Sequence, residues 1–312
     1  MNFCLRFSGL IVARKPLLLA AELSATRRRN TLKRVDRELS KGNYRAALSL
    51  VKSCGLRGFG AAKQIQSLDD LIIERSYTPS LQTRLDLILD SIKDSIRFTS
   101  SGKLSLLELE SLMHRKSGDY ILNDHLKCMQ HEAGHFLVGY LLGVLPKRYK
   151  VPTMDDLNQD ELAGGRVDFL GLIEENLIQI LKWSTISCLN KNLSHKSHCD
   201  FGSISFALLL NYAKCSLLVL SVIVGGLVAE HSVFGCSAGL HSDVKKMYII
   251  LKRWDLKEDE AESQIKRAAL NAVLILDRQY DARSRLAEAM ALGRSVGDCI
   301  DTIEKALTDP VI

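Results

Sequence analysis

The chain has 312 residues, 46% hydrophobic and 25% charged with only five prolines, so it can bury one large or two modest cores, and long disorder is not expected. Low aromatic content and sparse Gly/Pro punctuation argue against a strand-rich sandwich and for a mainly α fold. The net charge of +6 is uneven: residues 1–50 hold eleven Lys/Arg against Glu22, Asp36 and Glu38, leaving −2 for the remainder, so a nucleic-acid function would rest on that segment alone and is not expected.

Residues 1–35 form a basic arm. No acid occurs in 1–21, where Arg6, Arg14 and Lys15 sit among Leu, Ile, Val and Ser as in an organelle transit peptide. An ordinary basic terminus and a polyanion contact are the alternatives. The expected address is an organelle, a plastid ahead of a mitochondrion. Residues 36–118 read as a small helical module. Leu39, Tyr44, Leu48 and Val51 have helical spacing, and further amphipathic helices are expected over 66–76, 80–98 and 102–115. Leu81, Leu85, Ile88, Ile92 and Ile96 make one stripe suited to packing.

Ser117-Gly118-Asp119 marks a boundary, and Asn123 or Asp124 is suited to cap a helix running to about Gly143, with Pro146 opposing extension. The polar stretch 151–169 contains one short strand candidate, RVDFL. Residues 170–215 show no single period and read as an insertion. Their His195, His198 and Cys199 form only a weak metal signal, with no fourth partner nearby. The apolar run 216–229 is short for a bilayer and reads as a buried core helix; no spanning segment is expected, and peripheral membrane contact stays open. Four helices follow, over 242–254, 257–278, 281–293 and 297–307. The eight cysteines lack any Cys-x-x-Cys spacing and read as free thiols.

The chemistry concentrates in His131-Glu132-Ala133-Gly134-His135. At about 100° per helical residue, His131 and His135 project from one face, where both imidazoles can reach one tetrahedral zinc ion. Glu132 lies beside the first ligand, placed to take a proton from a metal-bound water as that water attacks a peptide carbonyl. Zinc needs a third protein ligand. Val138 and Leu141 stand where a metzincin would carry glycine and histidine, which excludes that class. Two distant acids are candidates: Glu230 in GGLVAEH and Asp243 in GLHSDVKK. The expected reaction is zinc-dependent peptide-bond hydrolysis.

HEAGH, then GGLVAEHSVFG, then GLHSD opening a helix together resemble the peptidase domain of the FtsH-type membrane-bound AAA proteases. The resemblance covers roughly 120–170 and 216–307, and so places a helical zinc-metallopeptidase domain over 119–312, with the insertion at about 170–215. It implies His131, His135 and Asp243 as zinc ligands, Glu132 as general base, and Glu230 as a structural acid. No GxxxxGK[ST] phosphate loop occurs, so the family's ATPase module is missing. Phe136 replaces a customary small residue. Polypeptides are the implied substrates, and full-length AAA proteases or further copies of this chain the implied partners. A catalytically silent scaffold assembling with such proteases is the second reading.

Overall fold

A computed structural model describes residues 14–62, 78–101, 118–159, 164–170, 201–235, 241–253 and 257–307. The expected helices 66–76 and 102–115 and the His195/His198/Cys199 cluster lie outside the described residues. The architecture is mainly α, as expected: α1 (Arg14–Ser40), α2 (Tyr44–Ser53), α3 (Pro79–Ser101), α4 (Gly118–Leu141), β1 (Pro146–Lys150), α5 (Met154–Gln159), β2 (Arg166–Phe169), α6 (Phe201–Phe234), α7 (His241–Arg253), α8 (Glu258–Arg278), α9 (Tyr280–Ala291) and α10 (Val296–Ala306).

Helix α4 is the central element. Every residue from His131 to Leu141 is buried, which marks a helix enclosed on all sides. One side packs on α6 and the other meets α9. The α4/α6 crossing is closed by glycines: a Cβ on Gly134 would lie 2.4 Å from the Gly225 carbonyl oxygen, so no larger residue fits without parting the helices. α4 stops in a Schellman arrangement, with Gly143 at φ 86° and the Val144 N–H donating to the Gly139 carbonyl at 2.8 Å. It begins at Gly118, so Asn123 and Asp124 lie inside it and do not cap it. The chain then turns into β1, which pairs antiparallel with β2 in the register Arg148↔Asp168 and Lys150↔Arg166. The RVDFL strand is thereby found, while its partner PKRYK, opened by a proline and rich in cations, carries no strand signal of its own.

The run 216–229 belongs to the 34-residue α6. Its Leu217–Phe234 window has mean hydropathy 2.0 and is by length and composition sufficient to cross a membrane, yet 78% of it is buried inside the protein. α8 packs along α6 and also touches α4. Its first turn carries Glu258, Asp259 and Glu260 and its last Arg278, charges matched to the helix dipole.

The N-terminal elements share this core. The boundary expected between 35 and 36 falls within α1, whose Leu32 and Val35 are buried, and α1 packs against α2 and α10. The Asp36 carboxylate accepts the Gly297 N–H at 2.7 Å, at the start of α10, and Arg28 pairs with Asp301 at 2.7 Å. The α3 stripe is buried at Leu81, Leu85, Ile88 and Ile92, against α7 and α8. Hence the described part of 36–118 packs as layers on the C-terminal helices.

Candidate metal centre

Three elements bring the site together. α4 supplies His131, Glu132 and His135; α6 supplies Glu230 and the Val222 carbonyl; the first turn of α7 supplies Asp243. All five side chains are buried. His131 Nε2, His135 Nε2 and Asp243 Oδ2 converge: the two nitrogens are 3.0 Å apart, and the oxygen is 2.8 Å from the first and 2.9 Å from the second.

The outward nitrogens fix what these inward ones present. The Val222 carbonyl, which can only accept, takes the His135 Nδ1–H at 2.7 Å. The Glu230 carboxylate faces His131 Nδ1 at 3.3 Å. Each imidazole therefore carries a proton at Nδ1, and in its neutral form directs a lone pair from Nε2 at the other ring and at Asp243. A single proton at this point is directional and serves one pair of the three atoms, whereas a metal ion serves all three. Burial disfavours the His131 cation, but the hydrogen bonds to Asp243 and Glu230 outweigh it and raise His131 to about 10. Burial likewise disfavours an ionised Asp243, but His135 and the hydrogen bonds from both rings hold it well below the ordinary carboxylate range. The centre is thus built to concentrate a positive charge.

Room for this convergence comes from Gly226, where a Cβ would stand 2.5 Å from His135 Nε2 and 2.7 Å from His131 Nε2. Glu132 reaches toward Gly165 while keeping a carboxylate oxygen within 4.8 Å of ring nitrogens of both histidines. It faces Gly165, the residue before β2, where a Cβ would meet the Glu132 Cγ at 2.5 Å. Its Oε2 is buried with no hydrogen-bond partner, and burial raises its pKa against the opposing pull of His135 and His131. His131, Glu132 and His135 form a buried group able to hold a metal ion. A cleft opens beside them, with Val167, Phe169, Val222 and Ile223 as its apolar walls and Lys246 at its edge. The Lys246 ammonium bonds the other oxygen of Asp243 at 2.8 Å, leaving Oδ2 to the histidines.

The structure brings together His131, Glu132, His135, Asp243 and Glu230, and of the two candidate acids it is Asp243 whose oxygen reaches the convergence point. Sequence reasoning missed Gly226, Gly165, Lys246 and the Val222 carbonyl. Gly225-Gly226 within an apolar helix was the available signal, since such a pair implies close approach by something else. Comparison with family models, curated proteins and solved structures finds no match to this chain.

Proposed function

We propose that the chain is a zinc metallopeptidase, with His131, His135 and Asp243 as zinc ligands and Glu132 as the general base. The observation that carries this reading is the three-atom convergence beside a buried carboxylate with one oxygen free of any hydrogen bond. Two imidazole nitrogens and one carboxylate oxygen beside an open cleft are the donor set that would suit catalytic rather than closed structural zinc. The separations of 2.8–3.0 Å lie close to the edge of about 3.3 Å expected between ligands around tetrahedral zinc.

Zinc bound there would lower the pKa of a coordinated water toward neutrality and polarise a carbonyl. The residues of the chain do the remainder. Glu230 and the Val222 carbonyl hold the two rings in the tautomer that ligates. Glu132, with one oxygen free of any hydrogen bond, takes the proton from the attacking water and returns it to the departing amine. Val167, Phe169, Val222 and Ile223 offer apolar surface for a substrate side chain and exclude water from the reacting atoms. The substrates this reading implies are unfolded or short polypeptides, in an organelle, handled alone or beside AAA proteases.

Elemental analysis of the purified chain tests this directly. The reading requires about one zinc per chain, lost in Asp243→Ala and retained in Glu132→Gln. Casein-type hydrolysis should fall by about 100-fold to 10,000-fold in Glu132→Gln. A zinc-free wild type, under conditions where a control metalloprotein keeps its metal, would leave the buried His131–carboxylate network as a structural device and remove the peptidase assignment. Zinc retained without hydrolysis of any polypeptide would favour the scaffold reading.

A further inference from the structure

The centre leaves unused the strongest electrostatic feature of the molecule. Residues 24–53 hold nine Lys/Arg against two acids, a balance of +7, while the whole chain carries +6, so everything else sums to −1. Both acids are engaged: Asp36 at the start of α10, and Glu38 by Lys41 and Asn43. Arg27, Lys33, Arg34, Arg37, Arg45 and Lys52 are exposed and form no ion pair among the described residues.

The helices that carry these cations are fixed to one another and to the core. α1 is fastened to α10 by Leu32 and Val35, by the Arg28–Asp301 pair and by the Asp36–Gly297 hydrogen bond. At about 100° per residue, Lys33, Arg34 and Arg37 fall on the side of the helix turned away from Leu32 and Val35. On α2, Arg45 and Lys52 are seven residues apart and share a face, opposite the buried Ala47 and Val51. Lys147 Nζ lies 4.4 Å over the Tyr44 ring, which sets β1, with exposed Lys150 and with Arg148 paired to Asp168, beside the start of α2. β1 in turn pairs with β2, which lines the cleft. α1, α2, β1 and β2 are thus successive neighbours, and the last of them lines the cleft.

We propose that this face, the α1–α2 hairpin continued by β1, docks the protein on an anionic membrane surface. Charge complementarity identifies the occupant, and two features favour lipid over nucleic acid. The hairpin's one described aromatic residue, Tyr44, is covered by Lys147, so the face offers no platform on which bases stack. Just ahead of the basic stretch, the same helix contains the uncharged run Pro16-Leu17-Leu18-Leu19-Ala20-Ala21, and an apolar segment joined to a polybasic one is the two-signal pattern of stable membrane association. This surface is independent of the metal centre and stands or falls apart from it.

Co-sedimentation of the full chain with vesicles tests the proposal. Binding is expected to phosphatidylcholine vesicles containing about a third phosphatidylglycerol, much less to pure phosphatidylcholine, and to weaken as salt is raised from about 0.1 to about 0.5 M. The triple variant Lys33→Gln/Arg34→Gln/Arg37→Gln should bind about a hundredfold more weakly, roughly fivefold for each cation removed from an anionic surface. Its circular dichroism and zinc content should match wild type. Arg45→Gln/Lys52→Gln tests the second helix without touching α1. Equal binding to neutral and anionic vesicles, wild-type binding by both variants, or tighter binding to random-sequence duplex DNA at the same salt would each overturn the assignment.

Discussion

A buried histidine is defined by the partner of each nitrogen, and His131 and His135 have their Nδ1 partners supplied before any ligand arrives. Glu230 is the informative one, because it was the competing candidate for the third ligand. A ligand and a ring-orienting acid respond differently to neutralisation. Glu230→Gln should keep zinc but weaken its affinity about 10-fold to 100-fold, as for other outer partners of ligating histidines, whereas Asp243→Asn should abolish stoichiometric zinc. Competition against a chromophoric chelator reads both values. Equal losses in the two variants would mean that Glu230 ligates directly. At this scale much was legible in the sequence: i, i+4 spacing gives the two rings one face, and the glutamate between them puts a carboxylate beside them. The choice between Glu230 and Asp243 was not legible from spacing, since both lie about a hundred residues from the motif, and only the resemblance favoured Asp243. In the structure the first turn of α7 brings Asp243 Oδ2 to both Nε2 atoms, while Glu230 stands at His131 Nδ1.

At the scale of elements, the site is a consequence of how closely α4 and α6 approach. Gly134 meets the backbone of Gly225, and Gly226 leaves the space that both imidazoles occupy. These two contacts predict two separable defects. Gly134→Ala places a methyl against backbone that cannot yield, so the helices must part; destabilisation of about 1–3 kcal/mol is expected, read from the urea midpoint. Gly226→Ala instead displaces the rings and should show first as lost zinc. A Gly134→Ala variant as stable as wild type would mean that the crossing is looser than described. The α1–α10 clamp makes a prediction in pH. Burial would raise the Asp301 carboxyl, but Lys305 and Arg28 outweigh it and lower its pKa. Stability from this group is therefore complete above the ordinary carboxylate value of about 3.9 and is lost as pH falls through the lower folded value. Between pH 6 and pH 3 wild type should lose more stability than Asp301→Asn, seen as converging urea midpoints. Helices such as α3, α8 and α10 were legible because each presents one apolar stripe. β1 was not, because its residues are polar and its pairing with β2 is a long-range choice.

At the scale of the whole molecule, the basic N-terminal segment has two parts with different fates. Read as sequence, 1–35 is one cationic arm that resembles a removable leader. In the fold, its second half is internal structure: Leu32 and Val35 are buried, Arg28 holds Asp301, and Asp36 follows directly at the start of α10. The pattern of charge conceals this, because a helix that buries two apolar residues and exposes five cations has the composition of a targeting peptide. The distinction can be measured by paired truncation. Removing residues 1–13 touches none of the described contacts and is the reference for the longer cut. Removing 1–35 deletes Leu32, Val35 and Arg28. The loss of a large buried aliphatic side chain alone costs about 2–5 kcal/mol, so this truncation should lose a large fraction of total stability or fail to fold. If an import protease acts on this chain, its cut must therefore fall ahead of the packed part of α1, and the mature protein keeps the cations of the hairpin. A fully stable 36–312 fragment that retains zinc would show that α1 is dispensable, and would restore the boundary at residue 35.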